Sequence, residues 1–460
     1  MADISTPLKA YNAMVADWDL VDALMGGTKT MRLAGESLLP RWPNEDDKAY
    51  SCRLSVATLL PAFKETIINH VGRVFSEPSV LSDDTPEQIQ EYASDFDMAG
   101  NQLDVWAQRF FALGERYGLI HALVDYPKTV GVKTKADEKA SGARPYAVII
   151  SPRQVIGWKS QKSGGAEVLT ELRIREVISE EEGEFGAKEI TQIRLLRIGS
   201  CAIYRLKDNG KGEQTWSVHE EWVTTARRIN LVTFYTNRTG FMTAEPPMLD
   251  LAHLNVKHWQ SQSDQDTILH VARVPILSVY GLADGQELTL GASSAMQFTD
   301  RSKQGVEYTE HSGASIGAGQ ESLDDLVEQM RMAGAKLLRK ENQSTKSVDQ
   351  VGQESLQEDS PLFAMSSALE DSLDNILQFM ADWLSLPRGG NIDVRTELET
   401  AGNVFSPQSA LAIQALRQGG DIRQIDAVRA YQQLGIIDPD AKAAEVIDEL
   451  LNNPGGGEYE

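Results

Sequence analysis

The chain has 460 residues, is 41% hydrophobic and carries a formal net charge of −23. That length supports more than one core, while the acidity argues against a conventional nucleic-acid binder, which carries a basic patch. Two cysteines, Cys52 and Cys201, exclude a disulfide framework and a cysteine-built metal site and read as buried, reduced thiols.

The N-terminus, Met1-Ala2-Asp3-Ile4, lacks the basic and apolar regions of a signal peptide. No stretch approaches the ~20 apolar residues of a membrane span. The chain is therefore expected to be soluble and cytoplasmic. Ser5-Thr6-Pro7 reads as a helix start, followed by Leu8, Tyr11, Val15, Trp18 and Val21 at three- and four-residue steps. A second helical stretch covers about 49–75, where Pro61 should kink or split it. Leu103, Trp106, Phe110 and Leu113 mark a third helix, closed by Gly118. His121 to Tyr126 and Tyr146 to Ile150 read as strands. From about Val168 to Val218 the period changes to two, which predicts an antiparallel sheet with long polar turns. Asn209-Gly210 marks one turn, and Glu180-Glu181-Glu182 reads as part of another.

Three long helices dominate the second half. The first, about 247–270, places Met248, Ala252, Asn255 and Trp259 on one face. Its second half, Gln260 to Asp266, is almost wholly polar. A helix polar all round needs support from neighbours or bridges between modules. The second runs over about 321–340, with a capping-box-like Ser322 and Asp325 and the stripe Leu323, Leu326, Val327, Met330, Leu337. The third covers about 361–386, with Leu362, Met365, Leu369, Leu373, Ile376, Met380 and Trp383 on one face. Between the first two lies a β-like segment, about 274–319; between the last two, Glu341 to Gly352 reads as a mobile polar loop. One strand (391–398) and two or three short helices (about 407–451) follow, then a disordered tail.

Catalytic motifs are weak. Gly26-Gly-Thr-Lys-Thr30 lacks the upstream glycine and the strand of a phosphate-binding loop. Gly313-Ala-Ser-Ile-Gly-Ala-Gly319 does not match the dinucleotide fingerprint and reads as a flexible turn into a helix. His253 and His258 fall on different helix faces, and His121 near Asp125 reads as structural. No catalytic residue, metal ligand or cofactor is assigned.

Pro246-Pro-Met-Leu-Asp-Leu-Ala-His-Leu-Asn255 with Ser261-Gln-Ser-Asp264, Pro275 to Gly281, Tyr117-Gly118, His121 to Pro127, and Glu370-Asp371-Ser-Leu-Asp374, together with the module order, resemble the portal, or head-to-tail connector, proteins of tailed bacteriophages. The resemblance is diffuse and spans nearly the whole chain. It implies an α+β, portal-like fold: a wing (1–245), stem helices (246–271 and 319–341), a β clip (272–318), a tunnel loop (342–355), a long tunnel helix with a returning wing strand (356–404), a short helical crown (405–453) and a disordered tail (454–460).

It also implies a dodecameric ring at one capsid vertex of the virion, assembled in the host cytoplasm. Double-stranded viral DNA would pass through without sequence specificity during packaging and ejection. The implied partners are the terminase large subunit, the head-tail adaptor, the major capsid protein and a scaffold, with no membrane. The stem residues Gln260, Gln262, Asp264 and Asp266 are then expected to line the channel. Lys340 and Lys346, with Asn342, Gln343 and Thr345, are expected to touch DNA, because residues repeated around a ring axis centre a duplex through many weak phosphate contacts. Arg227, Arg228 and Arg331 are expected to face acidic surfaces of neighbouring subunits. Two rival readings are another head-tail connector or adaptor, and an intracellular α/β enzyme with an unrecognised site.

Overall fold

The computed structural model describes residues 3–127, 143–208, 214–224, 226–273, 276–280, 305–309, 314–334, 348–394, 407–419, 422–433 and a few positions up to 447. The protein is a mixed α+β chain that divides into two compact units. One contains residues 1–18, 67–247 and 341–460; the other contains 19–66 and 248–340.

In chain order, the helices and strands before the large sheet are α1 (Lys9–Met25), α2 (Gly27–Ala34), α3 (Asp47–Val56), α4 (Ala62–Val74), β1 (Val80–Leu81), α5 (Glu87–Tyr92), α6 (Leu103–Tyr117), β2 (Leu119–Asp125) and β3 (Tyr146–Ile150). The expected helix over 49–75 is split: α3 ends at Val56 and α4 begins just after Pro61, because proline cannot donate within a helix but is tolerated at its start. α6 ends where Gly118 takes a left-handed φ of 85° and donates to the Gly114 carbonyl at 2.8 Å. No other residue suits that position, since a Cβ there would stand 2.3 Å from the Glu245 carbonyl oxygen.

The expected sheet is present as β4 (Val155–Ser163), β5 (Ala166–Glu182), β6 (Gly186–Arg197), β7 (Ser200–Asp208) and β8 (Gln214–Val223), antiparallel in that order. Asn209-Gly210 lies outside the described residues. Glu180-Glu181-Glu182 corrects the sequence reading: these residues remain in β5, paired with Lys188, Ala187 and Gly186. They carry no alternation of buried and exposed positions because both faces of the ladder meet solvent there. Next come β9 (Leu231–Tyr235), β10 (Arg238–Gly240) and β11 (Thr243–Ala244). A second sheet runs β3-β2-β9.

The remaining elements are α7 (Leu249–Ala272), β12 (Ile276–Tyr280), β13 (Gly305–Thr309), α8 (Ala314–Met332), α9 (Val348–Leu384), β14 (Ile392–Asp393), α10 (Pro407–Gly419) and α11 (Gln424–Gln433). The two long helices after β13 start earlier than their sequences imply. α8 begins at Ala314, so Ser322 and Asp325 sit mid-helix and cap nothing. α9 begins at Val348 and continues through Pro361. Residues 348–355 are thus helical rather than loop, and 341–347 lie outside the described residues.

The larger unit packs α6 and α9 with the β3-β2-β9 sheet. Trp106, Phe110, Phe111 and Phe234 meet Leu369, Leu373, Ile376 and Met380 in one buried cluster. Leu362, Leu369, Leu373, Ile376 and Met380 of the predicted α9 stripe are buried, and Met365 and Trp383 are partly buried against the same cluster. Cys201 is buried as expected, but Cys52 is exposed on α3.

Candidate functional site

α7 is the element in which the sequence placed its channel residues, and its surroundings explain how a polar helix is held. Met248, Leu251, Ala252, Asn255 and Trp259 form a buried stripe. Asn255 is fully buried yet satisfied: its Oδ1 accepts from the Phe63 N–H at 3.1 Å and its Nδ2 donates to the Leu60 carbonyl at 2.9 Å. The amide thus serves one of the first N–H groups of α4, which no helix can satisfy internally. His258 is also buried, and burial alone lowers its pKa.

The polar half of α7 is tied down residue by residue. Gln260 Nε2 donates to the Leu38 carbonyl at 3.0 Å. Gln262 Nε2 donates to Asp266 Oδ1 at 2.8 Å, one turn along the same helix. Asp264 Oδ1 accepts from the Trp42 indole N–H at 3.0 Å and lies 3.9 Å from Arg53 Nη1. Burial raises the Asp264 pKa against those two favourable partners. Gln265 is buried and reaches the Ile316 carbonyl of α8 at 2.9 Å.

Behind Asp264 lies a buried ion pair. Arg53 holds Glu45 with two bonds, Nε to Oε1 at 2.8 Å and Nη2 to Oε2 at 2.7 Å, and both side chains are 3% exposed. Arg53 also donates to the Pro40 carbonyl and stacks its guanidinium 4.2 Å from the Trp42 ring centre. That bonding holds the Glu45 pKa below the usual carboxylate range. Sequence reading missed this pair, since isolated acidic and basic residues in so charged a chain carry no signal.

All four expected channel residues are therefore half-buried rather than freely exposed. Gln260 and Asp264 are engaged by residues 38–53, and Gln262 and Asp266 by each other. On α8 the stripe is as expected for Leu323, Leu326 and Met330, all buried, while Glu321, Asp324, Asp325 and Glu328 are exposed. Lys340, Asn342, Gln343, Thr345 and Lys346 lie outside the described residues. Two of the arginines expected to face other subunits have partners within the chain: Arg228 pairs with Asp382, and Arg331 with Glu328. His121 bonds Thr233 Oγ1 at 2.9 Å.

The acidic run of α9 has a distinct job. Glu370 accepts from the Val394 N–H at 2.9 Å. Asp374 accepts from the Ile392 N–H and the Asn391 side chain, both at 2.8 Å. These carboxylates fix the returning segment 391–394, in which β14 pairs with β1. Among the described residues, no cluster of His, Cys, Asp and Glu is arranged to hold a metal ion, and no helix is long and apolar enough to cross a membrane.

Residues 247–384, from just before α7 to the end of α9, match the family model described as "Domain of unknown function (DUF4055)". No curated protein matches the chain. Among solved structures, the chain is similar to a chain of the virion of a native gene transfer agent particle, with 10% identity, TM-score 0.42, and coverage of 85% of this chain and 94% of that one. It is also similar to a chain in the neck of the empty particle computed with C6 symmetry, with 10% identity, TM-score 0.44, and 88% and 97% coverage. A third similar chain is in the neck of the native particle computed with C12 symmetry, with 12% identity, TM-score 0.39, and 87% and 97% coverage.

Proposed function

We propose that this chain is the portal subunit of a phage-like particle: one copy of a dodecameric ring through which double-stranded DNA enters and leaves the capsid. The observation that carries the reading is the succession α7, a two-stranded β12–β13 ladder, and α8 packed on α7, with the 37-residue α9 next in the chain among the described elements. The stem, clip and tunnel helix of the family that the sequence resembles follow one another in that order.

Within this reading α7 and α8 are the stem, and the segment between them, with the β12–β13 ladder, is the clip that meets the packaging motor (the terminase large subunit) and later the tail adaptor. Gln260 and Asp264 serve the stem's own integrity through Leu38 and Trp42. Gln262 and Asp266 face the channel together with the exposed carboxylates Glu321, Asp324, Asp325 and Glu328. A wall of such groups repels phosphate, so a duplex slides instead of sticking. Lys340 and Lys346, with Asn342, Gln343 and Thr345, supply the few weak, salt-sensitive contacts that centre the duplex. No step of this role consumes a cofactor, and ATP hydrolysis belongs to the separate motor.

Neutralising Lys346 tests the DNA contact. Lys346→Ala rings should form normally but retain less packaged DNA; a variant that fails to assemble would contradict the DNA-contact role. Light scattering tests the ring itself, since a dodecamer of a 50.7 kDa chain is distinguished at once from a monomer or dimer.

A further inference from the structure

The large sheet carries an arm. The β4–β5 ladder ends at Val155↔Ile174, and the β6–β7 ladder at Gln192↔Arg205. Beyond those rungs the strand ladder joins β5 and β6 alone, down to Glu182↔Gly186, with the Arg175 N–H still on the Gln154 carbonyl and Glu180 still paired with Arg205 of β7. Every residue from Ser179 to Glu189 is exposed. The tip reads Glu181-Glu-Gly-Glu-Phe185, and Phe185 is 94% exposed. A bare two-stranded hairpin is marginally stable in water, and a large apolar side chain at its end gains by burial in a partner.

The same unit holds a receptor of matching chemistry. Two adjoining hollows, one of about 640 Å3 and one of about 120 Å3, share Ala226, Arg228, Asn230 and Trp383. Trp383 lines both, and Trp222 lines the smaller one beside it. Their rim carries four arginines, at 194, 197, 227 and 228, against the carboxylates Asp125 and Asp382. Arg227 is exposed, and Arg197 keeps 53% of its side chain exposed despite its pair with Glu171.

The arm cannot enter its own hollow. β6 lines the hollow with Arg194 and leads away to the tip at Gly186, eight residues along a continuous ladder, or about 26 Å at 3.3 Å per residue. The strand that forms the receptor therefore holds the tip away from it. We propose that the occupant is a second copy of this chain. Phe185 of one copy seats against the Trp222 and Trp383 wall of the next, with Glu181, Glu182 and Glu184 facing Arg197 and Arg227. Such a contact is head-to-tail, the heterologous kind that generates rings. The inference rests on the ring reading and adds which surfaces meet.

The experiment uses two full-length chains, both carrying Cys52→Ser. Both also carry Cys201→Ala, since Cys201 lines the smaller hollow; one carries Glu184→Cys, which keeps Phe185, and the other Ala226→Cys. Co-assembled and mildly oxidised, the two should yield covalent dimers on a non-reducing gel, while either alone should not. Glu184→Arg should weaken assembly roughly tenfold, and Arg227→Glu should restore it in mixed rings. Rings that form in the microscope without the cross-link, and that tolerate both charge reversals, overturn this inference and leave the ring reading standing. A wild-type chain that stays monomeric overturns both.

Discussion

Gln265 of α7 and Gly319 of α8 touch so closely that a Cβ added at Gly319 would stand 2.1 Å from Gln265 Oε1. Gln265 is in turn pinned by its bond to the Ile316 carbonyl. In an ordinary helix Gly→Ala stabilises by up to about 1 kcal/mol. Here the sign reverses: Gly319→Ala should cost about 1–2 kcal/mol by overpacking. In a Gln265→Ala background the same substitution should be neutral or stabilising. Thermal unfolding of the double-mutant cycle measures both.

Arg53 and Glu45 are buried together, so removing one strands the other. Arg53→Met should destabilise by about 1–3 kcal/mol, because it leaves the carboxylate of half-buried Glu45 with only the Trp42 N–H as partner. Glu45 has a folded pKa below its unfolded value, so its stabilisation is complete above the ordinary carboxylate pKa and fades as pH falls through the lowered one. Lowering the pH from 6 to 4 should therefore narrow the gap between wild type and Arg53→Met in denaturant unfolding.

Asp374 and Glu370 hold three groups of one short segment. Asp374→Ala should cost about 1–3 kcal/mol, since it leaves the N–H of buried Ile392 without a partner. Glu370→Ala should cost a similar amount, and the double mutant less than the sum. Limited proteolysis at 387–394 should accelerate in step with those losses.

His121 is buried on β2, and burial pushes its pKa down to about 3. The folded state keeps it neutral while the unfolded chain takes up a proton, so its stabilisation is present above about pH 6.5 and is lost as pH falls, by about 1.4 kcal/mol per pH unit. His121→Gln should flatten that slope between pH 6.5 and 5. Urea midpoints at the two pH values report it.

Helix faces were legible where apolar spacing was dense. Leu362 to Trp383 located α9, and Met248 to Trp259 located α7. Starts were not legible. Pro361 imitates a first-turn proline, and the stretch before it, Val348 to Ser360, is too polar to show a stripe. Gly313 to Gly319 imitates a turn, yet Gly319 lies within a helix, at the position where Gln265 leaves no room for a side chain. The arm was missed because a ladder wet on both faces has no alternation to read. Of the site, the polar half of α7 was visible as an anomaly, but its supports come from Leu38, Trp42 and Ile316, which no local pattern connects to it.

Electron microscopy of the purified full-length chain tests the central claim most directly. The portal reading predicts closed rings with a central hole wide enough for a duplex and twelve-fold symmetry. Monomers, dimers or open filaments under assembly-permissive salt would contradict it.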